Sequence, residues 1–278
     1  IDYVFATNVT IRYGGPAQAS GGKASSPDEV LARQLAAFFC ADPAHRQSYR
    51  FDPALDLMLA EKPAAVRKAA WLAYRNGWDR NVFAADVASN RVMNGKLSSA
   101  YVIRSVGRKP AGGWPLVIAM HGGGGAPKEV NDDGWRTMMT YYNDQPDVSG
   151  YLYLAVRAPN DEWNGFYADY NPPLTDNLIR QLNLFLDLNP NRIYLIGYSH
   201  GGYGAYYQGT RMPDGFAAIH SSAAATTEYG DIYLNLRNTP FSLMVGEHDT
   251  AHERLRRGKW LDEKFRKLKE VETNDYPV

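Results

Sequence analysis

The chain has 278 residues, and its 30 Lys and Arg balance 30 Asp and Glu to a formal net charge of zero. That balance excludes the broad basic surface nucleic-acid binding draws on, because such affinity comes largely from clustered Lys and Arg at phosphates. Hydrophobic residues at 45% and charged residues at 22% exclude global disorder, and no apolar stretch reaches the roughly 20 residues of a membrane span.

In chain order, residues 1–13 alternate partly between apolar and polar and are expected to form a short strand. The Gly-, Ser- and Pro-rich stretch that follows reads as a surface loop or linker. Ile1 in place of Met is read as the mark of a removed leader or a trimmed chain. With the sequon Asn8-Val9-Thr10 it leaves export open. A helix is expected over 27–40, with Ser26 as its cap and Asp28 and Glu29 in its first turn. Cys40 is the one cysteine, so no intramolecular disulfide can form. It ends the apolar run 35–40 and is expected to be a buried small hydrophobe. A second helix runs from Pro63 through Val66, Ala69, Ala70 and Leu72 to Tyr74 and stops at Asn76-Gly77. A third is expected over 79–92. Residues 1–97 thus read as a mostly helical N-terminal extension.

The pattern then changes. Strands are expected at 101–106, 116–120, 151–156, 192–196, 216–220 and 241–245. Helices are expected at 127–142, 174–188, 200–211 and 251–270. Unbroken apolar runs such as Leu116-Val117-Ile118-Ala119-Met120 suit parallel strands covered on both faces. Alternation with helices gives an α/β domain over 98–278, a mainly parallel sheet flanked by helices.

Gly197-Tyr198-Ser199-His200-Gly201 falls between an expected strand and an expected helix. A serine at such a turn projects its hydroxyl above the sheet, and the flanking glycines let neighbouring backbone pass close by. The bland alternative is a glycine-rich turn with an idle serine. His121-Gly122-Gly123-Gly124-Gly125 directly follows the strand at 116–120. An N–H of Gly123 or Gly124, joined by that of His200, would form an oxyanion hole. A phosphate loop is disfavoured because no Lys-Ser/Thr follows the glycines. His121 is expected to anchor the loop.

These two motifs, in this order, resemble the α/β-hydrolase superfamily. The stretch 197–204 (GYSHGGYG) is similar to the elbow of prolyl-oligopeptidase-related esterases and peptidases. The resemblance covers residues 98–278 and implies a serine hydrolase for a small-molecule carboxylic ester, working through an acyl-enzyme without a cofactor. It also implies an acid after the seventh strand. There Gly246-Glu247-His248-Asp249 follows the strand at 241–245, making Asp249 the expected acid and Glu247 the second candidate. Asp249 could equally cap the helix that follows, and the two roles are compatible.

The resemblance places a histidine after the acid, beyond an eighth strand. None of the six, His45, His121, His200, His220, His248 and His252, stands there. The expectation is that 274–278 approaches that strand and that the base lies beyond Val278. Rival readings are a serine peptidase of the oligopeptidase type and a non-catalytic binding protein on the same fold.

Asn160, Trp163 and Asn164 follow the strand at 151–156, at the edge where open α/β sheets bind ligands. With Tyr203 they are the candidate substrate-binding residues, and plain packing of the loop is the alternative. Glu247, His248, Asp249 and His252 lack the H-E-x-x-H order, so no metal is expected. Arg254, Arg256, Arg257 and Lys259 read as the solvated face of the last helix.

Overall fold

The computed structural model describes residues 27–142, 147–226 and 230–271. The strand expected over 1–13, the linker after it, the Ser26 cap and the strand start at 274–278 lie outside these. The chain divides into two compact units, Ile1–Trp78 and Asp79–Val278.

The first unit contains α1 (Pro27–Cys40), α2 (Pro43–Ser48), α3 (Ala54–Glu61) and α4 (Pro63–Asn76). Leu31 and Leu35, one helical turn apart on α1, pack with Leu55 of α3 and the small Ala69, Ala70 and Ala73 of α4. Phe39 continues the α1 stripe. Cys40 is the next residue along and is turned off that stripe, so it is exposed rather than buried as expected.

In the second unit α5 (Asn81–Ala88) is shorter than the helix expected over 79–92. Asn90 adopts a left-handed φ of 50° and redirects the chain into β1 (Arg91–Asn94). Val92, expected in a helix, is therefore a strand residue and fully buried. The remaining elements are β2 (Leu97–Gly107), β3 (Trp114–Met120), α6 (Lys128–Tyr141), β4 (Gly150–Val156), α7 (Asn171–Phe185), β5 (Leu188–Tyr198), α8 (His200–Arg211), β6 (Ala218–Ser222), β7 (Phe241–Met244) and α9 (Arg254–Val271).

The seven strands lie in the order β1-β2-β4-β3-β5-β6-β7. β1 and β2 pair antiparallel, as do β2 and β4, and every other pair is parallel. Leu116, Ile118 and Met120 of β3 point to one face and pack with Leu174, Leu178 and Leu182 of α7, Tyr206 of α8 and Leu261 of α9. The alternate residues Val117 and Ala119 meet Trp135, Met138 and Met139 of α6 on the other face. Burying one such Leu or Ile side chain is worth about 1.5–3 kcal/mol, so the central strands fix this unit. From β3 the chain goes to β4 on one side and β5 on the other, which opens a crevice at the carboxyl ends of these strands. Met120 of β3 is in register with Gly197 of β5. The segments after them, His121 onward and Ser199, therefore leave the sheet side by side. Among the described residues no helix is long and apolar enough to cross a membrane.

Candidate active site

β5 ends at Tyr198 and α8 begins at His200, leaving Ser199 alone in the turn. Its φ of 51° and ψ of −113° are unfavourable for a residue with a Cβ, at a cost of about 1–3 kcal/mol. The turn is over-determined by its surroundings. The Ser199 N–H donates to Ser222 O at 2.8 Å, and its carbonyl accepts from the Tyr203 N–H at 3.0 Å. A Cβ on Gly197 would lie 2.0 Å from Gly201 O, and one on Gly201 would lie 2.2 Å from Met120 O. No other residue type fits at either position.

The loop after β3 is held from beneath. His121 is fully buried, and burial drives its pKa down to about 3. Its neutral ring accepts the Ala158 N–H at Nε2 (3.1 Å). That fixes the proton on Nδ1, which donates to Gly122 O at 2.8 Å. His121 thus anchors the loop, as expected from sequence. Its carbonyl accepts the Gly201 N–H at 2.8 Å, tying the loop to the start of α8. Gly123 and Gly124 have φ values of 129° and 79°. The Gly124 N–H donates to Asn131 Oδ1 at 2.7 Å, which commits it away from the site and corrects its expected role as an oxyanion donor. Asn131 is buried on α6, and its Nδ2 donates to Ala126 O at 2.9 Å. Gly122 lies close to Ser199, with a Cβ there falling 3.4 Å from the Ser199 Cβ.

The His200 ring is buried under the glycine loop, where a Cβ on Gly124 would lie 2.6 Å from its Cδ2. Trp163 stacks on it at 6.3 Å between ring centroids, and Phe166 lies at 5.0 Å. Burial lowers the His200 pKa to about 4, the Trp163 backbone opposing, so the ring is neutral at pH 7.

On the opposite side, the loop after β7 carries Asp249. Its Oδ1 accepts the Ala251 N–H at 3.1 Å, a local turn bond, while Oδ2 meets Arg254 Nη1 at 3.2 Å. Arg254 Nε donates to Tyr203 Oη at 3.3 Å, and Nη2 stands 3.5 Å from Ser199 Oγ. Against the cost of burial, Tyr203 and Asp249 hold this guanidinium firmly protonated. Among the described residues, the group that bridges Ser199 and Asp249 is therefore Arg254. Its side chain is only 13% exposed, which corrects the expectation that it belongs to a solvated face. A sequence signal was present. Arg254, Arg256 and Arg257 fill the first turn of α9, where the helix dipole favours acids. His252 and Glu253, both left-handed (φ 50° and 57°), bend the chain back so that Arg254 faces Ser199.

Trp163 is 45% exposed and stands beside Tyr203 and His252, with ring centroids at 6.1 and 5.3 Å. These rings wall the site next to Arg254. The Asn160 side chain is tied to its own loop. Its Nδ2 donates to Tyr170 Oη at 2.9 Å, and its Oδ1 accepts the Glu162 N–H at 3.2 Å. Asn164 is exposed, and its carbonyl accepts from Tyr170 Oη at 3.4 Å. Among the described residues no group of three His, Cys, Asp or Glu could hold a metal. The groove between β7 and α9, lined by Phe241, Leu243 and Phe265, includes none of the residues around Ser199.

No protein-family model and no curated protein matches the chain. Solved structures do. A thermostable esterase matches at 21% identity and a TM-score of 0.51, over 64% of this chain and 50% of the other. The enterobactin esterase of Shigella flexneri matches at 14% identity and a TM-score of 0.47, over 65% of this chain and 50% of its own. A ferulic acid esterase matches at 15% identity and a TM-score of 0.43, over 63% of this chain and 88% of the other. The chain thus spans half the length of the first two structures it matches. With its strand order and its helices on both faces, it has the α/β-hydrolase fold.

Proposed function

We propose that the second unit is a serine hydrolase that cleaves a small carboxylic ester through an acyl-enzyme. The observation that carries this reading is Ser199, held at a positive φ on a strand-to-helix turn beside the glycine loop and above Asp249's partner Arg254. Strain of this kind persists where the surroundings enforce it, and it is common at nucleophiles.

Ser199 Oγ attacks the ester carbonyl carbon. Its proton passes to a general base seated against Asp249 in place of the Arg254 guanidinium, and the same group returns that proton to the departing alkoxide. The N–H groups of Gly123 and His200 receive the developing oxyanion. Collapse of the tetrahedral intermediate expels the alcohol, and water then releases the acid from the serine. Trp163 and Tyr203 wall the acyl or alcohol side. No step calls for a cofactor. Ester is the first substrate class to test because an esterase shares the fold, an analogy of fold alone.

One observation favours the non-catalytic alternative: an arginine cannot take up a proton near neutral pH, and Arg254 stands where the base would act. A fluorophosphonate probe and p-nitrophenyl acetate separate the two. Covalent labelling of Ser199, with Ser199→Ala lowering turnover on the order of 10⁶-fold, is the expected result. Unlabelled Ser199 together with unchanged turnover in Ser199→Ala would remove it from the chemistry. Comparison of esters with aminoacyl amides then separates esterase from peptidase.

A further inference from the structure

Arg157, the first residue after β4, takes no part in the steps above. It is only 8% exposed, and each of its three side-chain hydrogen bonds reaches a residue that holds the glycine loop or adjoins one that does. Nε donates to Asp132 Oδ1 at 2.9 Å. Asp132 follows Asn131, which caps the Gly124 N–H. Nη2 donates to Asp161 Oδ1. Asp161's carbonyl accepts the Gly125 N–H at 2.9 Å. Nη1 donates to Ala158 O at 3.2 Å. The N–H of Ala158 fixes the His121 ring.

From this convergence we infer that Arg157 is a positioning residue for the oxyanion side of the site, acting through α6 and the loop after β4; the inference rests on the reading of Ser199 as a nucleophile. Three anchors of one loop lie on two separate elements, and a single planar guanidinium sets their spacing. Asp132 is held well below the usual carboxylate range by Lys128 and Arg157, so this end of the clamp stays ionised. The fixed fork of an arginine serves two carboxylates and a carbonyl at once, which a lysine ammonium does not reproduce. An oxyanion hole depends on such preorganisation, because its donors must already face the carbonyl oxygen when charge develops.

The test compares Arg157→Met and Asp161→Asn with the parent chain. Asp161→Asn keeps the carbonyl that binds Gly125 and removes only the charge pair. Arg157→Met is expected to lower kcat for p-nitrophenyl acetate by about 10- to 100-fold, with KM changed less than about twofold, as for a small misplacement of catalytic donors. Affinity for a trifluoromethyl ketone, whose adduct carries the oxyanion, should fall by the same factor as kcat/KM. Hydrogen exchange should show lost protection at the Gly124 and Gly125 amides, a readout of the loop that does not depend on turnover. If Arg157→Met fails to fold, Asp161→Asn is held to the same criteria, with a several-fold loss in kcat expected. Wild-type kcat and unchanged loop exchange in a folded variant, or a loss confined to KM, would overturn the inference. An inactive Ser199→Ala alongside fully active clamp variants overturns this inference alone. A fully active Ser199→Ala overturns the proposed function and this inference with it.

Discussion

The two loops that flank Ser199 are held in opposite ways. The loop at 121–126 is fastened by groups from other elements, His121 to the buried Ala158, Gly124 to the buried Asn131 and Gly125 to the half-buried Asp161. The loop at 246–253 is exposed apart from Asp249. Its bonds are local turns, such as Asp249 N–H to Gly246 O at 3.0 Å and Thr250 N–H to His248 O at 3.1 Å. Its ties to other elements are the Asp249 contact with Arg254, which in turn reaches Tyr203 and Ser199, and the His252 ring against Trp163. The contrast is one of fastening. The first loop is tied into a polar network under the sheet edge, whose members rigidify one another. The second is tied mainly within itself, and its two left-handed residues set its bend.

The largest effect should come from breaking the rigid side. Asn131→Leu removes the acceptor for Gly124 and the donor to Ala126, leaving one buried and one half-buried backbone group without partners. Each such group costs about 1–3 kcal/mol, so urea unfolding should show a loss of about 3 kcal/mol together with lost ester turnover. A stable, fully active Asn131→Leu would mean the loop is not organised by α6.

The next effect is in pH. His121 has its folded pKa lowered to about 3, against an ordinary 6.5, because burial disfavours its charged form. A histidine kept neutral in the fold contributes stability that is full above the unfolded value. It is lost progressively as pH falls from about 6.5 toward 3, where the unfolded chain binds the extra proton. His200, lowered to about 4, acts in the same direction. Unfolding midpoints measured from pH 7 to pH 4 should fall, and His121→Gln should flatten that slope. An unchanged slope in the variant would put the acid sensitivity elsewhere.

The smallest effect should come from the open side. The Arg254–Asp249 pair is partly exposed, at 13% and 20% of its side chains, and its contact is single and 3.2 Å long. A double-mutant cycle of Arg254→Met and Asp249→Asn should give a coupling of about 1 kcal/mol or less in stability. A coupling as large as the Asn131 effect would erase the contrast between the two loops.

Most of the sheet was legible because apolar runs bounded by glycine and polar clusters have few other uses. The strands at 116–120 and 151–156 and the helix at 200–211 appear within a few residues of where they were expected. The break at Ala88 was missed because its signal is Asn90, which ends helices less strictly than Gly or Pro and here does so by accepting a left-handed φ. Cys40 was misread because an apolar run does not say which of its members lies on the buried stripe.

The sequence by itself determined the α/β architecture, the elbow at Ser199 and the glycine loop, since each rests on local backbone demands that only certain residues meet. Only the tertiary structure decided which groups those loops face. The N–H of Gly124 is spent on Asn131, the amide of Asn160 on its own loop, and Arg254 rather than a histidine spans Ser199 and Asp249. The reason is physical. A hydrogen bond between residues 55 apart in sequence, as between Arg254 and Ser199, is fixed by how strands and helices pack, and no local pattern in the chain encodes that distance.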